Sequence, residues 1–172
     1  KNNSYITFTN TNVSRQGSTR DANVEKLQIQ IGTNQNRYTL YGDVAFSHLL
    51  DSIETHGFAS SFQFEKSTGT FQFSIGQNTE SDTYNINDLG FLQNNNQKQQ
   101  RAEVNYFIFK PAGNLRKADF ELSFTKSMLY NPNLFISNAL EAKIRLHSTN
   151  FFSSGISMEQ TIGNTYDYFE AR

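Results

Sequence analysis

The three histidines are the residues best suited to metal or acid–base chemistry in this sequence. His48 and His56 flank one connection between predicted strands, and His147 ends another strand. None of these spacings matches a metal-binding motif such as His-x-x-x-His. We therefore interpret all three as solvated histidines that bind no metal. The chain has no cysteine, which excludes disulfides, cysteine zinc sites and thiol catalysis.

Catalytic motifs are absent from the sequence. It contains no Gly-x-Ser-x-Gly elbow and no glycine-rich phosphate-binding loop. Carboxylates are plentiful, but any β-protein supplies such pairs, so they do not indicate glycosidase chemistry. We predict a non-enzymatic protein without a cofactor.

The segment at residues 80–88 is rich in Asp, Glu and Asn, which carry the oxygen ligands that calcium prefers. It lacks the glycine and glutamate positions of an EF-hand loop. Asx turns that order a long connection explain the same residues, and calcium is the less favoured alternative.

The residues that follow make this connection more apolar than a solvated loop, notably Ile86 and Leu92. We expect the segment either to fold back as a plug or rim, or to pack as an ordered Ω-type loop. It is our candidate functional surface, although a purely structural cap fits equally well. Its candidate residues are Asn85, Asn87, Asp88, Leu89, Gly90 and Phe91.

A second candidate site is a set of charges at alternate positions on predicted strands. Its members are Glu141, Lys143, Arg145, Glu103, Asp119 and Glu121. Cross-strand ion pairing is the favoured interpretation because the signs are mixed. A charged pore lining that selects solutes is the alternative.

Composition narrows the class of protein that must position these residues. The 172 residues include 16 Phe and 8 Tyr, yet only 36% are hydrophobic and 18% are charged. A pI near 6.3 gives no basic footprint for nucleic acid. No apolar run approaches the roughly 20 residues of a membrane-spanning helix.

Alternation of apolar and polar residues recurs along the whole chain and is typical of β-strands. In the clearest case, Phe120, Leu122 and Phe124 alternate with acidic and hydroxyl residues. The pattern predicts an all-β, antiparallel up-and-down meander of about nine strands. The predicted strands are 5–9, 24–31, 38–47, 58–66, 70–77, 102–109, 118–125, 139–147 and 152–159.

Short and long connections alternate between these predicted strands. Turn residues fill the short connections at 33–36, 67–69, 111–114 and 148–150, while longer ones span 15–21, 48–56, 78–98 and 126–134. Such alternation is typical of a transmembrane β-barrel, whose outer face meets lipid and whose inner face is wet. A soluble sandwich shows the same residue alternation. The connection lengths favour the barrel.

Three segments resemble a bacterial family known as domain of unknown function 5916. The most specific is Tyr84-Asn85-Ile86-Asn87-Asp88-Leu89-Gly90-Phe91-Leu92, the family's hallmark segment. The opening residues 3–13 and the closing residues 166–172 are also similar, except that we expect Pro in place of Ala171.

This resemblance implies a piece of the C-terminal, outer-membrane β-barrel-like region of a larger Gram-negative protein. In that family a module similar to carbohydrate-binding family 9 often comes first, so carbohydrate is a possible partner only through a module that this chain lacks. An odd number of strands cannot close a simple up-and-down barrel. We therefore expect residues 1–172 to form one incomplete, curved barrel segment.

The expected location is the outer membrane, and the expected partners are lipid and the rest of the barrel, not nucleic acid. The expected role is that of a channel, scaffold or anchor in a carbohydrate-related surface protein. The alternative is a soluble carbohydrate-binding β-sandwich.

Overall fold

A computed structural model describes residues 3–17 and 20–166 of the chain. The described residues form one antiparallel sheet in which each strand pairs with the strand before and after it. The nine strands are β1 (Tyr5–Val13), β2 (Asp21–Gly32), β3 (Tyr38–Leu50), β4 (Thr55–Lys66), β5 (Phe71–Glu80), β6 (Gln97–Ile108), β7 (Leu115–Leu129), β8 (Phe135–Ser148) and β9 (Ser153–Thr161). A single 3-10 turn at Asn34–Asn36 joins β2 to β3.

The predicted all-β meander is confirmed, and the sheet is not closed. The order runs from β1 to β9 without a crossover, and the two end strands each pair with one neighbour. All nine predicted strands are present. The last predicted segment of the family resemblance, residues 167–172, lies outside the described residues.

The predicted alternation of connection lengths is wrong. Strands β1 to β8 extend past their predicted ends at the edge where long connections were expected, and β7 also extends by three residues at the opposite edge. Residues 51–54 alone therefore join β3 to β4. Only the β5–β6 connection, residues 81–96, is much longer than the tight turns at the opposite edge. Polar residues occupy both faces of the extensions, as in Asn10, Thr11 and Asn12, so alternation fails there although pairing continues.

Alternation gives the sheet an apolar face and a polar face. We call the apolar side chains of the first the apolar belt; it includes Ile6, Phe8, Leu27, Ile29, Leu40, Val44, Phe62, Phe64, Phe73, Ile75, Val104, Phe120, Leu122, Phe124, Leu140, Ile144 and Leu146. Phe62 is 49% exposed and Phe120 36% exposed. No second layer covers this face among the described residues.

The sheet therefore has almost no hydrophobic core of its own. The buried apolar residues of the described chain are Ala22, Ala45, Leu49, Tyr84, Ala118 and Leu129. Several of these lie on the polar face or beneath the long β5–β6 connection. Among the described residues, no helix has the length and apolar character needed to cross a membrane.

Candidate functional site

The candidate site is the long β5–β6 connection, residues 81–96, which we call the docked loop. It folds back over the polar face of β3 and β4. The Asn85 backbone N–H donates to Ser47 Oγ at 3.1 Å, and the Phe58 N–H donates to Ser81 Oγ at 2.9 Å. Ser47 is only 1% exposed. The loop is therefore folded back, and its ends are joined where the Asn96 N–H donates to the Ser81 carbonyl at 3.2 Å. These contacts fit both predicted arrangements, the plug or rim and the ordered Ω-type loop.

Close backbone contact seats the docked loop on β4. Tyr84 is 7% exposed, and it lies directly over Gly57. A Cβ atom added to Gly57 would stand 2.3 Å from the Tyr84 backbone N. Only glycine therefore allows this approach. Burial, followed by the charge of Glu80, raises the pKa of the Tyr84 hydroxyl, which keeps this ring neutral.

Asparagine side chains give the docked loop its internal turns. Asn85 Oδ1 accepts from the Asn87 N–H at 2.9 Å, and Asn87 Oδ1 accepts from the Leu92 N–H at 2.7 Å. The Leu89 and Gly90 N–H groups both donate to the Ile86 carbonyl. The first of these is an Asx turn of the kind that the sequence predicts, and the others are a longer side-chain bridge and a backbone turn.

Two arginines of the β1–β2 connection hold Asp88. Its two carboxylate oxygens lie 2.8 Å from Arg15 Nη1 and 2.5 Å from Arg20 Nη2, and its side chain is 12% exposed. Burial alone would raise the pKa of this carboxyl, but the hydrogen bonds from Arg15 and Arg20 outweigh it and lower the pKa. Asp88 therefore ties two connections that are far apart in the sequence.

A second tie joins the docked loop to the β7–β8 connection. Asn96 Nδ2 donates to the Asn131 carbonyl and its Oδ1 accepts from the Asn131 N–H, both at 2.8 Å. The Asn131 side chain in turn donates to Asp82 Oδ2 at 2.8 Å. Sequence reasoning missed Asn131, and only its turn-forming Asn-Pro step marks it as special. All three acidic residues of the segment considered for calcium have protein partners, because Glu80 accepts from Gln97 at 2.9 Å in addition to the contacts of Asp82 and Asp88.

The apolar residues of the docked loop divide between two environments. Ile86 and Leu92 line a cavity of about 310 Å³ between the loop and the polar face, together with Lys26 and Asp43. Phe91 instead is 84% exposed. The loop thus presents its hallmark aromatic ring away from the sheet.

The predicted charge cluster lies on the polar face, and only part of it pairs across strands. Glu121 on β7 accepts from both Lys143 and Arg145 on β8, each at 3.2 Å. Glu141 lies 2.8 Å from Lys143 on its own strand. These four residues form one continuous network of mixed sign.

The other two members of the cluster have their nearest cations on their own strands, and Asp119 also faces His147 Nε2 of β8 at 3.6 Å. Glu103 lies 3.0 Å from Arg101, and Asp119 lies 2.9 Å from Lys117. Arg145, although directly opposite Asp119 in the register, bonds to Glu121 instead. The sequence placed these residues on one face but does not specify their partners.

A partly buried polar network beside the docked loop was not predicted. Asp43 accepts from Ser61 at 2.7 Å, from Tyr41 at 3.1 Å and from Lys26 at 2.9 Å. Gln28 donates to the Tyr41 hydroxyl at 2.7 Å. Its members come from three adjacent strands, so register alone brings them together.

The interpretation of His48 and His56 as loop residues is wrong. They lie on β3 and β4, directly opposite each other in the register, with their Nδ1 atoms 2.8 Å apart. His147 lies on the polar face at the far end of β8, where its Nδ1 is 2.9 Å from Ser153 Oγ. In the described parts of the chain, no group of three or more His, Asp or Glu side chains is arranged to hold a metal ion.

Comparison with known proteins identifies one family. The model of the family described as "Domain of unknown function (DUF5916)" matches residues 1–172. No curated protein matches the chain. No solved structure matches it either.

Proposed function

The chain belongs to the DUF5916 family, and from that premise we propose that it is a non-enzymatic segment of an outer-membrane β-barrel. In this proposal the apolar belt contacts lipid, the polar face lines the lumen, and the remaining strands of the barrel pair with β1 and β9. The segment acts as a channel, a scaffold or a surface anchor.

The oblique course of the apolar belt is the observation that carries the proposal. One row of directly paired residues crosses eight strands: Ile6, Ile29, Gly42, Phe62, Gln77, Gln100, Lys126 and Asn138. The row is apolar from β1 to β4 and polar from β5 to β8. On β8 the belt instead runs from Leu140 to Leu146. We call the border of the belt nearest the tight turns its lower border, and between Ile6 on β1 and Leu146 on β8 this border moves by about eight residues.

This displacement matches strands that are tilted in a membrane. At ~3.4 Å per residue and ~4.8 Å between strands, the lower border of the belt, from Ile6 to Leu146, crosses the strands at roughly 40° from the perpendicular. The opposite border, from Phe8 to Leu140, moves in the same direction by about four residues, which corresponds to roughly 20°. Strands of outer-membrane barrels are tilted by about 35–45°. A belt that is level in a bilayer must cross tilted strands in this way, whereas a soluble sheet has no reason to keep one oblique border across eight strands.

The soluble sandwich is the weaker alternative because its defining feature is missing from the described residues. A sandwich buries the inner faces of two sheets against each other. Here the phenylalanine-bearing face is exposed, and the largest side chain below 2% exposure is that of Ser47. No observation favours carbohydrate binding by this chain.

On this proposal the docked loop narrows the lumen. It lies over the polar face, it is fixed by Asp88 on one side and by Asn96 on the other, and it encloses Lys26 and Asp43. Mixed-sign pairs such as Glu121 with Lys143 suit a lumen that is stabilised by its own charges. Carbohydrate enters the proposal only through a separate N-terminal module.

Single-cysteine labelling tests the proposal, since residues 1–172 contain no cysteine and any cysteine elsewhere in the full-length protein would first be replaced by serine. We would reconstitute the full-length protein in phospholipid vesicles and attach a fluorophore to Phe124→Cys, on the apolar belt, or to the adjacent Thr125→Cys, on the polar face. A quencher on the lipid acyl chains should reach only the probe at position 124. Aqueous iodide should quench mainly the probe at position 125.

The outcome that contradicts the proposal is equal quenching of the two neighbouring positions. Lys126→Cys provides a matched control, because it lies on the same face as Phe124 but beyond the border of the belt. Its probe should be reached by iodide and poorly by the acyl-chain quencher.

A further inference from the structure

The two histidines that face each other across β3 and β4 form a feature that the proposed barrel does not use. His48 and His56 are register partners, and their rings meet at 79° with centroids 4.9 Å apart. The His48 ring is half-buried, whereas the side chain of His56 is 57% exposed. The pair lies beyond the border of the apolar belt, next to the connection at residues 51–54.

The distance between their Nδ1 atoms suits a shared metal ion. Imidazole binds zinc at about 2.0–2.1 Å. At such bond lengths, two cis ligands of a tetragonal ion stand about 2.9 Å apart, and those of a tetrahedral ion about 3.3 Å apart. The observed 2.8 Å separation is therefore close to the spacing that a tetragonal ion requires.

Glu54 faces His56 at a distance longer than a hydrogen bond, on the side where metal-binding histidines usually have an outer carboxylate. Its Oε1 lies 3.5 Å from His56 Nε2, the nitrogen that points away from His48. A carboxylate at this position favours the proton on Nε2 and leaves the lone pair of His56 on Nδ1. Without a metal, the His48 Nδ1–H then donates to that lone pair. Metal binding would require the proton of His48 to move from Nδ1 to Nε2, so that both Nδ1 lone pairs are available to the ion.

We propose that His48 and His56 bind a divalent transition-metal ion through their Nδ1 atoms, with water in the remaining positions and Glu54 as the orienting carboxylate. A site with two imidazoles and open positions follows the usual order of divalent affinities, in which Cu²⁺ exceeds both Ni²⁺ and Zn²⁺. The binding is separate from the docked loop and from the charge cluster.

Titration with Cu²⁺ alone, monitored by electron paramagnetic resonance, tests this site on the full-length protein. The spectrum should show nitrogen splitting from two imidazoles. His48→Ala and His56→Ala should each weaken Cu²⁺ binding at least ten-fold. Glu54→Gln keeps both ligands and should weaken it by about ten-fold, within the range found for outer carboxylate partners.

His147→Ala is the matched control, because His147 lies on the polar face and bonds to Ser153 instead. Its affinity for Cu²⁺ should stay within two-fold of the unmodified protein. Unchanged binding in the His48→Ala, His56→Ala double variant, a spectrum with one nitrogen, or a loss in His147→Ala would each overturn the proposal. Near-ultraviolet circular dichroism of every variant verifies that weaker binding is not caused by unfolding.

Discussion

Asp88 links two connections that are far apart in the sequence, and it lies 73 positions after Arg15. It accepts from Arg15 Nη1 at 2.8 Å and faces Arg20 on its other oxygen. Arg15 Nη1 also donates to the Arg20 carbonyl at 2.7 Å. One carboxylate therefore organises both cations and holds the docked loop against the sheet.

The lowered pKa of Asp88 makes docking of the loop dependent on pH. A carboxyl whose pKa is lower in the folded than in the unfolded protein stabilises the folded state at pH values above its unfolded pKa, here 3.8. This stabilisation is lost as the pH falls through the folded pKa. We expect the hydrogen-exchange protection of the Asn85 amide, which donates to Ser47, to fall as the pH is lowered from about 5 to about 3.

Two variants test whether Asp88, rather than another carboxylate, causes the pH dependence of docking. Asp88→Asn should show weak protection that hardly changes over the same range, because it carries no charge to lose. Asp51→Asn, on the exposed β3–β4 connection, should retain the pH dependence of the unmodified protein. Equal pH profiles for Asp88→Asn and the unmodified protein would show that another group controls docking.

At the scale of elements, alternation predicted the nine strands but not their ends or partners. It works where one face is apolar, as in β7 between Phe120 and Phe124, and fails where both faces are polar, as in β1 after Thr9. Extension of the strands into those polar regions shortened the predicted 48–56 connection to residues 51–54. The cause is pairing with a neighbouring strand, which single-strand patterns do not contain.

Prediction of the candidate site from the sequence has the same limit, because local patterns do not contain contacts between distant residues. Apolar residues such as Ile86 marked the loop as something other than solvated, and its Asx turns follow from local sequence. Its anchors are non-local: Arg15, Ser47 and Asn131 become neighbours only once the register of the sheet is set. The facing histidines were missed for this reason too.

Packing of the docked loop on β4 depends on Gly57. We expect Gly57→Ala to weaken docking by about 1–3 kcal/mol, because its Cβ would overlap backbone atoms rather than a flexible side chain. Limited chymotrypsin digestion should then cut after Tyr84, which is buried in the docked loop.

Gly42→Ala is the matched control for this prediction. Gly42 lies on the adjacent strand β3 but on the apolar face, where an added Cβ would meet only Ile29 Cγ2 at 3.5 Å and the Ser61 carbonyl at 3.9 Å. Cleavage after Tyr84 should stay at the level of the unmodified protein. Similar digestion of both alanine variants would mean that the contact between Tyr84 and Gly57 does not hold the loop.

At the scale of the whole molecule, the two faces differ in what they need from their surroundings. The polar face is satisfied by its own hydrogen bonds and ion pairs, such as Glu121 with Lys143 and Arg145. The apolar face has no partner in the described chain, and many of its large side chains are exposed, among them Phe8 at 65% and Phe62 at 49%. Contiguous exposed apolar patches mark contact surfaces. In the proposed barrel, lipid covers this belt.

Substitution by arginine distinguishes lipid from water at this belt. Leu122 is 45% exposed, so in water Leu122→Arg would change the free energy of unfolding little. Near the middle of a bilayer the same change should cost about 2–4 kcal/mol. Urea titration of the protein folded into phospholipid vesicles measures this cost.

The matched control is Asn105→Arg, at a similar depth on the polar face, where Asn105 already donates to Glu103. It should change stability by less than about 1 kcal/mol, and equal costs at the two positions would place both faces in the same solvent.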